Sequence, residues 1–118
     1  MKLPHHEQAT ISEQKIVGYL LSFSHPDGKS KAQFFSQFGF SASHWEELAE
    51  AFRRHAAEHD IAEEKATPFG TSYTIEGPLA APDGRSPVVR AVWFIETGAV
   101  IPRLVTAYPR RGASRSQP

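Results

Sequence analysis

His25-Pro-Asp-Gly-Lys29-Ser-Lys31 places one imidazole and two ammonium groups around a tight turn. Proline suits the second position of such a turn and glycine the fourth. A helix opening directly after the turn presents free backbone N–H groups, which attract an anion. An unperturbed imidazole titrates near neutral pH, and a histidine such as His25 is therefore a residue type suited to proton transfer. Lys29 and Lys31 stand where the helix dipole favours acids, so they point to a negative partner outside the helix. The closing apolar run, Pro102-Arg-Leu-Val-Thr106-Ala-Tyr108-Pro109, adds two hydroxyls. Strand side chains repeat every two residues, so Thr106 and Tyr108 share a face. An imidazole, fixed cations and hydroxyls together suit phosphate chemistry without a metal.

Arg90 interrupts the apolar run from Val88 to Ile95. A guanidinium in such a strand requires an acid, an aromatic face or an anion. Glu76 and Glu96 are the acids at hand. If the last hairpin centres near residues 99–100, Arg90 lies beside Tyr108, and an arginine and two hydroxyls then cradle a phosphate. Arg85, in the Asp83-Gly84-Arg85 turn, is a further phosphate contact within reach.

Two motifs are weaker than they look. Gly28-Lys29-Ser30 resembles the end of a phosphate-binding P-loop, but the first glycine of that pattern would fall at Phe23. The preceding element also reads as a helix and not a strand. His55-Ala-Ala-Glu58-His59 fits H-x-x-E-H, and histidines at i and i+4 can share zinc. The acidic end of that helix offers no evident third ligand. The expectation is therefore no metal and no cofactor.

The chain has 118 residues, no cysteine and a formal net charge of zero. One domain with a modest core fits that length. Without cysteine there is no disulfide framework and no thiolate zinc site. No apolar run is long enough to cross a bilayer, and the first residues lack the apolar core of a signal peptide, so a cytoplasmic address is expected. Residues 1–68 carry seven Lys/Arg against ten Asp/Glu, and residues 69–118 six against three. Strong nucleic-acid binders carry a larger basic excess. Neutrality still allows a small positive cleft.

These residues need a scaffold of helices followed by strands. Residues 1–9 read as a flexible leader. Thr10 and Glu13 form a capping box for a helix at 11–22, with Ile16, Val17, Leu20 and Leu21 at helical spacing. A second helix follows at 29–38, with Ala32, Phe34, Phe35 and Phe38 apolar and Gly39 ending it. Ser43 and Glu46 form another capping box before a helix at 44–59. Short strands are expected at 62–67, 70–79, 88–95 and 104–108, joined as hairpins. The 88–95 run is apolar on both parities, which suggests burial on two faces. Trp45 and Trp93 fall on apolar faces and belong to the core. The segment 110–118, with Arg110, Arg111 and Arg115, reads as a disordered basic tail. The fold class is α+β, a single domain at 10–109 with three helices before an antiparallel sheet of three to four strands.

Tyr19-Leu-Leu, His25-Pro-x-Gly-x-x-Lys31-Ala-x-Phe-Phe, Gly39-Phe40, Gly77-Pro-Leu, Pro82-Asp-Gly-Arg85 and Leu104-Val-Thr106-Ala-Tyr108-Pro resemble a family of small, poorly characterised bacterial proteins across residues 16–109. The helix-then-sheet layout, the H-P-x-G-x-x-K turn and the closing T-x-Y-P strand are also similar to barnase/RelE-like toxin ribonucleases, which cut RNA without metal. That resemblance implies His25 as base or acid. It implies Lys31 and Arg90 as stabilisers of the phosphorane charge, and Thr106 and Tyr108 as groups orienting the phosphate. Lys29 and Arg85 would add phosphate contacts. The leading expectation is a ribonuclease-like toxin acting on RNA, with an antitoxin or other partner protein masking the cleft. The rivals are a non-catalytic protein-binding or regulatory module and a binder of a small anionic ligand. The acidic helix around Glu46, Glu47 and Glu50 offers another interface.

Overall fold

A computed structural model describes residues 1–110. Helical elements come first: α1 (Glu13–Lys15) runs into a π-helical turn (Ile16–Leu20), followed by α2 (Lys29–Ser36) and α3 (Trp45–Glu58). Four strands follow: β1 (Ile61–Thr67), β2 (Gly70–Pro78), β3 (Val88–Glu96) and β4 (Arg103–Pro109). They form one antiparallel sheet in the order β1-β2-β3-β4. The α+β architecture and the hairpin meander match the sequence reading.

The sheet lays one face on the helices. Ile75, Val89, Ala91, Trp93 and Ala107 alternate inward and are fully buried. They meet Ile16, Leu20, Phe35, Leu48 and Phe52 from the helical layer. The three rings Phe35, Phe40 and Phe52 pack edge to face at 5.9–6.2 Å. Such aromatic contacts add about 0.5–1.5 kcal/mol each beyond area burial. Trp93 belongs to this core, and Trp45 packs partly buried against it.

β3 is covered on only one face, unlike the two-sided burial its composition suggests. Its other parity, Arg90, Val92 and Phe94, is half-buried under long side chains, including Arg103 at 5.5 Å from the Phe94 ring. Amphipathic stems can shield apolar surface in this way without a second helical layer.

The helix starts also differ from expectation. Ser12, not Thr10, caps α1 by accepting from the Lys15 N–H at 3.0 Å. Thr10 instead pairs with β4: its N–H donates to Pro102 O, and Leu104 N–H donates to Thr10 O. The Ser43/Glu46 capping box does not form. A 3-10 turn at Ala42–His44 leads into α3, with no side-chain cap bond. α2 ends at Ser36, two residues short of the expected 38, and Gly39, with φ of 101° in the left-handed region, closes the turn that follows.

The first nine residues are part of the domain, which corrects the expected flexible leader. Leu3 and Ala9 are buried in the core. Ile61 N–H donates to Met1 O, and both the terminal amine and Lys2 pair with Asp60. The Lys2 hydrogen bond, then that of the amine, holds the Asp60 carboxyl below its usual range. Of the expected tail, Arg110 pairs with Glu76, and residues 111–118 lie outside those described.

Candidate phosphate site around Tyr19

Tyr19 sits in the π-helical turn Ile16–Leu20, where Leu21 N–H reaches back to Ile16 O at 2.7 Å. That wider ring of backbone is rare and is frequent at functional sites. Three of the spaced residues of the H-P-x-G-x-x-K turn converge on this tyrosine. The His25 ring stands edge-on to it with centroids 5.0 Å apart. The Lys31 ammonium lies 5.5 Å from the Tyr19 ring centre. Gly28 lies against the Tyr19 carbonyl, so closely that a Cβ there would fall 2.1 Å from that oxygen. Only glycine allows this approach. Lys15 adds a second cation at 5.1 Å from the same ring.

The tyrosine then reaches across to the last strand. Its hydroxyl hydrogen-bonds Thr106 Oγ1 at 3.0 Å. Thr106 stands next to a bulge, since Val92 pairs with Thr106 while Trp93 pairs with Leu104. Bulges re-aim side chains at sheet edges. The early turn and the closing strand thus share Tyr19, a residue the sequence reading quoted but gave no role. Its spacing six residues before His25 was the available signal.

His25 is held in one tautomer. Its Nδ1 accepts from the N–H groups of Asp27, at 3.0 Å, and Gly28, at 3.1 Å. The ring hydrogen therefore sits on Nε2. A neutral imidazole so arranged donates from Nε2, as in enzymes that use neutral histidine as an electrophile. It cannot accept a proton at Nε2, and releasing one would leave an imidazolate. In this geometry His25 presents its Nε2–H as a donor.

A groove of about 410 Å³ opens here, lined by Ser12, Gln14, Lys15, Gly18, Tyr19 and His25. Lys29 is exposed at the first position of α2. Among the described residues no carboxylate pairs with Lys15, Lys29 or Lys31. The Lys31 Nζ also donates to Asp27 O at 3.4 Å. The arrangement offers cations and hydroxyl and imidazole donors, with no fixed acceptor of opposite purpose. It suits an anion of the size of a phosphate.

The remaining candidates lie elsewhere. Arg90 pairs with Tyr108 across the β3–β4 ladder, the register expected from the hairpin. Its guanidinium is nevertheless neutralised, by Glu63 at 3.1 Å and Glu76 at 3.6 Å. Glu76 also holds Arg110 at 2.7 Å, and Glu96 holds Arg103 instead. Arg90 therefore stands in an ion-pair network on the outer face of the sheet, with Tyr108 beside it, and not among the contacts of Tyr19. Arg85 is a turn brace. It donates to Asp83 and to Gln37 O, and it covers the Phe38 ring at 4.4 Å. The Arg85 hydrogen bonds hold the Asp83 carboxyl below its usual range.

The H-x-x-E-H pair forms a clamp. His55 Nε2 donates to Gly77 O at 3.0 Å, and His59 Nε2 donates to Pro78 O at 3.2 Å. The two rings stand 5.0 Å apart and tie α3 to the end of β2. His55 is buried, and that burial lowers its pKa from 6.5 to about 4, against the raising effect of the Gly77 carbonyl. Among the described residues no group of three His, Cys, Asp or Glu is placed to hold a metal ion.

A second concavity, about 460 Å³, is lined by residues including Phe40, Glu46, Glu47, Glu50 and Arg54. It is slightly larger, yet its carboxylates give it the wrong sign for a phosphate. Charge chooses the Tyr19 groove over this one.

Comparison with known proteins agrees with the fold. The model of a family described as a domain of unknown function (DUF6883) matches residues 2–111. No curated protein matches. A chain from a solved contact-dependent growth inhibition toxin–immunity protein complex of Klebsiella pneumoniae 342 is similar in structure. The TM-score is 0.66 at 15% identity, covering 85% of this chain and 98% of that one. At that identity the likeness is one of fold.

Proposed function

The chain belongs to the DUF6883 family, and from that premise we propose that it is a ribonuclease-like toxin domain whose phosphate seat centres on Tyr19. The observation that carries this reading is the Tyr19–Thr106 hydrogen bond, which joins the cationic turn to the closing strand. In metal-independent RNA cleavage the 2′-hydroxyl attacks the adjacent phosphorus and the bond to the 5′-oxygen breaks. Water takes the proton from the attacking hydroxyl and returns one to the leaving oxygen. Negative charge grows on the non-bridging oxygens meanwhile. His25 Nε2–H, the one hydroxyl hydrogen that the Tyr19–Thr106 bond leaves free, Lys15 and Lys31 stabilise that charge as preorganised donors. The structural neighbour, a component of a toxin–immunity protein complex, supports a role in such a system. A partner protein would then cover this groove.

The His25 tautomer favours a second reading, a non-catalytic module that holds an anion in the same groove. Cleavage decides between them. Mixed cellular RNA incubated with the protein in EDTA is expected to be cut. The variant Lys15→Met/Lys31→Met is expected to cut at least about 100-fold more slowly, since each removed charge costs transition-state stabilisation. Arg54→Gln, on α3 and paired with Glu58, should cut at the wild-type rate. RNA left intact by the wild type, or cut equally by the double variant, contradicts the ribonuclease reading.

A further inference from the structure

We propose that Phe23 is a stacking platform for an unpaired base of the bound nucleic acid, which makes the substrate class single-stranded. This rests on the reading of the Tyr19 groove as a phosphate seat. Phe23 is one of few large apolar side chains left in water, at 56% exposed. The Ser22 and Ser24 hydroxyls on either side of it hydrogen-bond each other at 3.3 Å. The core is complete without it: Leu20 and Leu21, just before, are buried.

The position of the ring in the chain gives the exposure a meaning. Phe23 lies between Tyr19, which anchors the groove, and His25, whose Nε2–H is the fixed donor there. Lys15 and Lys31 lie against the Tyr19 ring, Lys29 opens α2 directly after the turn, and Asp27 is the acid within it. An exposed aromatic ring two residues from a groove histidine, on a segment flanked by lysines, fits the pattern by which proteins hold single strands, the phosphate taken by charge and the base by stacking. A base locked in a duplex has no free face to offer. The net charge of zero fits as well. With little long-range attraction, affinity must come from local contacts, and one stacked base supplies a large share of them.

The test separates this proposal from the one beneath it. The probe is fluorescein-labelled oligothymidylate of eight nucleotides, which lacks the 2′-hydroxyl and so is not consumed. Its binding is followed by anisotropy, and inorganic phosphate binding is followed in parallel by NMR. Phe23→Ala should weaken oligonucleotide binding about tenfold and leave phosphate binding unchanged. Phe23→Trp should restore oligonucleotide binding. The same oligonucleotide annealed to its complement should bind no better to the wild type than to Phe23→Ala. Equal oligonucleotide affinity in wild type and Phe23→Ala overturns the platform and leaves the ring to a protein partner. Wild type that binds phosphate but no oligonucleotide overturns it too, while the phosphate seat stands. Wild type that binds neither sinks the phosphate seat itself.

Discussion

Tyr19→Phe is expected to slow RNA cleavage about 100-fold or more while leaving the fold intact. The substitution removes one oxygen and keeps the ring. The edge contact with His25 and the cations at 5.1 and 5.5 Å therefore survive. What is lost is the hydroxyl that bonds Thr106 at 3.0 Å. As a half-buried hydrogen bond it contributes about 1 kcal/mol to stability, so the unfolding midpoint should move by only a few degrees. Its removal from the phosphate seat costs much more. Losing one donor aimed at developing charge typically lowers the rate by about 100- to 1,000-fold. Steady-state cleavage of a short labelled RNA, set beside a thermal melt, separates the two effects. An unchanged rate would remove Tyr19 from the machinery.

Acid should destabilise the protein through His55. The group has a pKa near 6.5 when unfolded and about 4 when buried. Above pH 6.5 both states are neutral there and the full stability is present. As pH falls below 6.5 the unfolded chain takes up a proton that the folded one does not, so stability drops with pH. The loss is complete once the folded group also titrates, near pH 4, and amounts to about 3 kcal/mol. Urea unfolding from pH 7 to pH 4 measures it. His55→Gln, which keeps a donor for the Gly77 carbonyl, should lose less stability between pH 7 and pH 4 by about that amount. Asp60 and Asp83, with lowered pKa values, begin to contribute only at the acid end of this window, and they do so equally in both proteins. Identical pH slopes in the two proteins would contradict the burial of a neutral ring.

The sheet was legible because its signals are local. Alternation in β2, the Pro82-Asp83-Gly84 turn and the apolar β3 run set strands, register and the Arg90–Tyr108 pairing. The capping boxes misled because Ser12 and Thr10 compete for one helix start, and pairing with β4 claims Thr10. The leader misled because polar flanks hide Leu3, which is buried by tertiary packing alone. At the site, the cationic turn and Thr106 were legible from residue type. Tyr19 was not, because only a π-helical turn and a strand bulge bring its hydroxyl to Thr106. Glu76 was legible as an acid for Arg90, but Glu63, its nearest partner, lies 27 positions away on an edge strand and no spacing displays it. The role of His25 turned on two backbone N–H groups that no spacing pattern displays.

The central claim is that the early turn and the closing strand form one anion seat through Tyr19. Titrating the ¹⁵N-labelled protein with inorganic phosphate tests it without reference to catalysis. Amide signals of His25, Gly28, Lys31 and Thr106 are expected to shift together with one dissociation constant, and Tyr19→Phe should weaken all of them in parallel. Shifts confined to the turn with Thr106 silent, or centred on Arg90 and Tyr108, would contradict it.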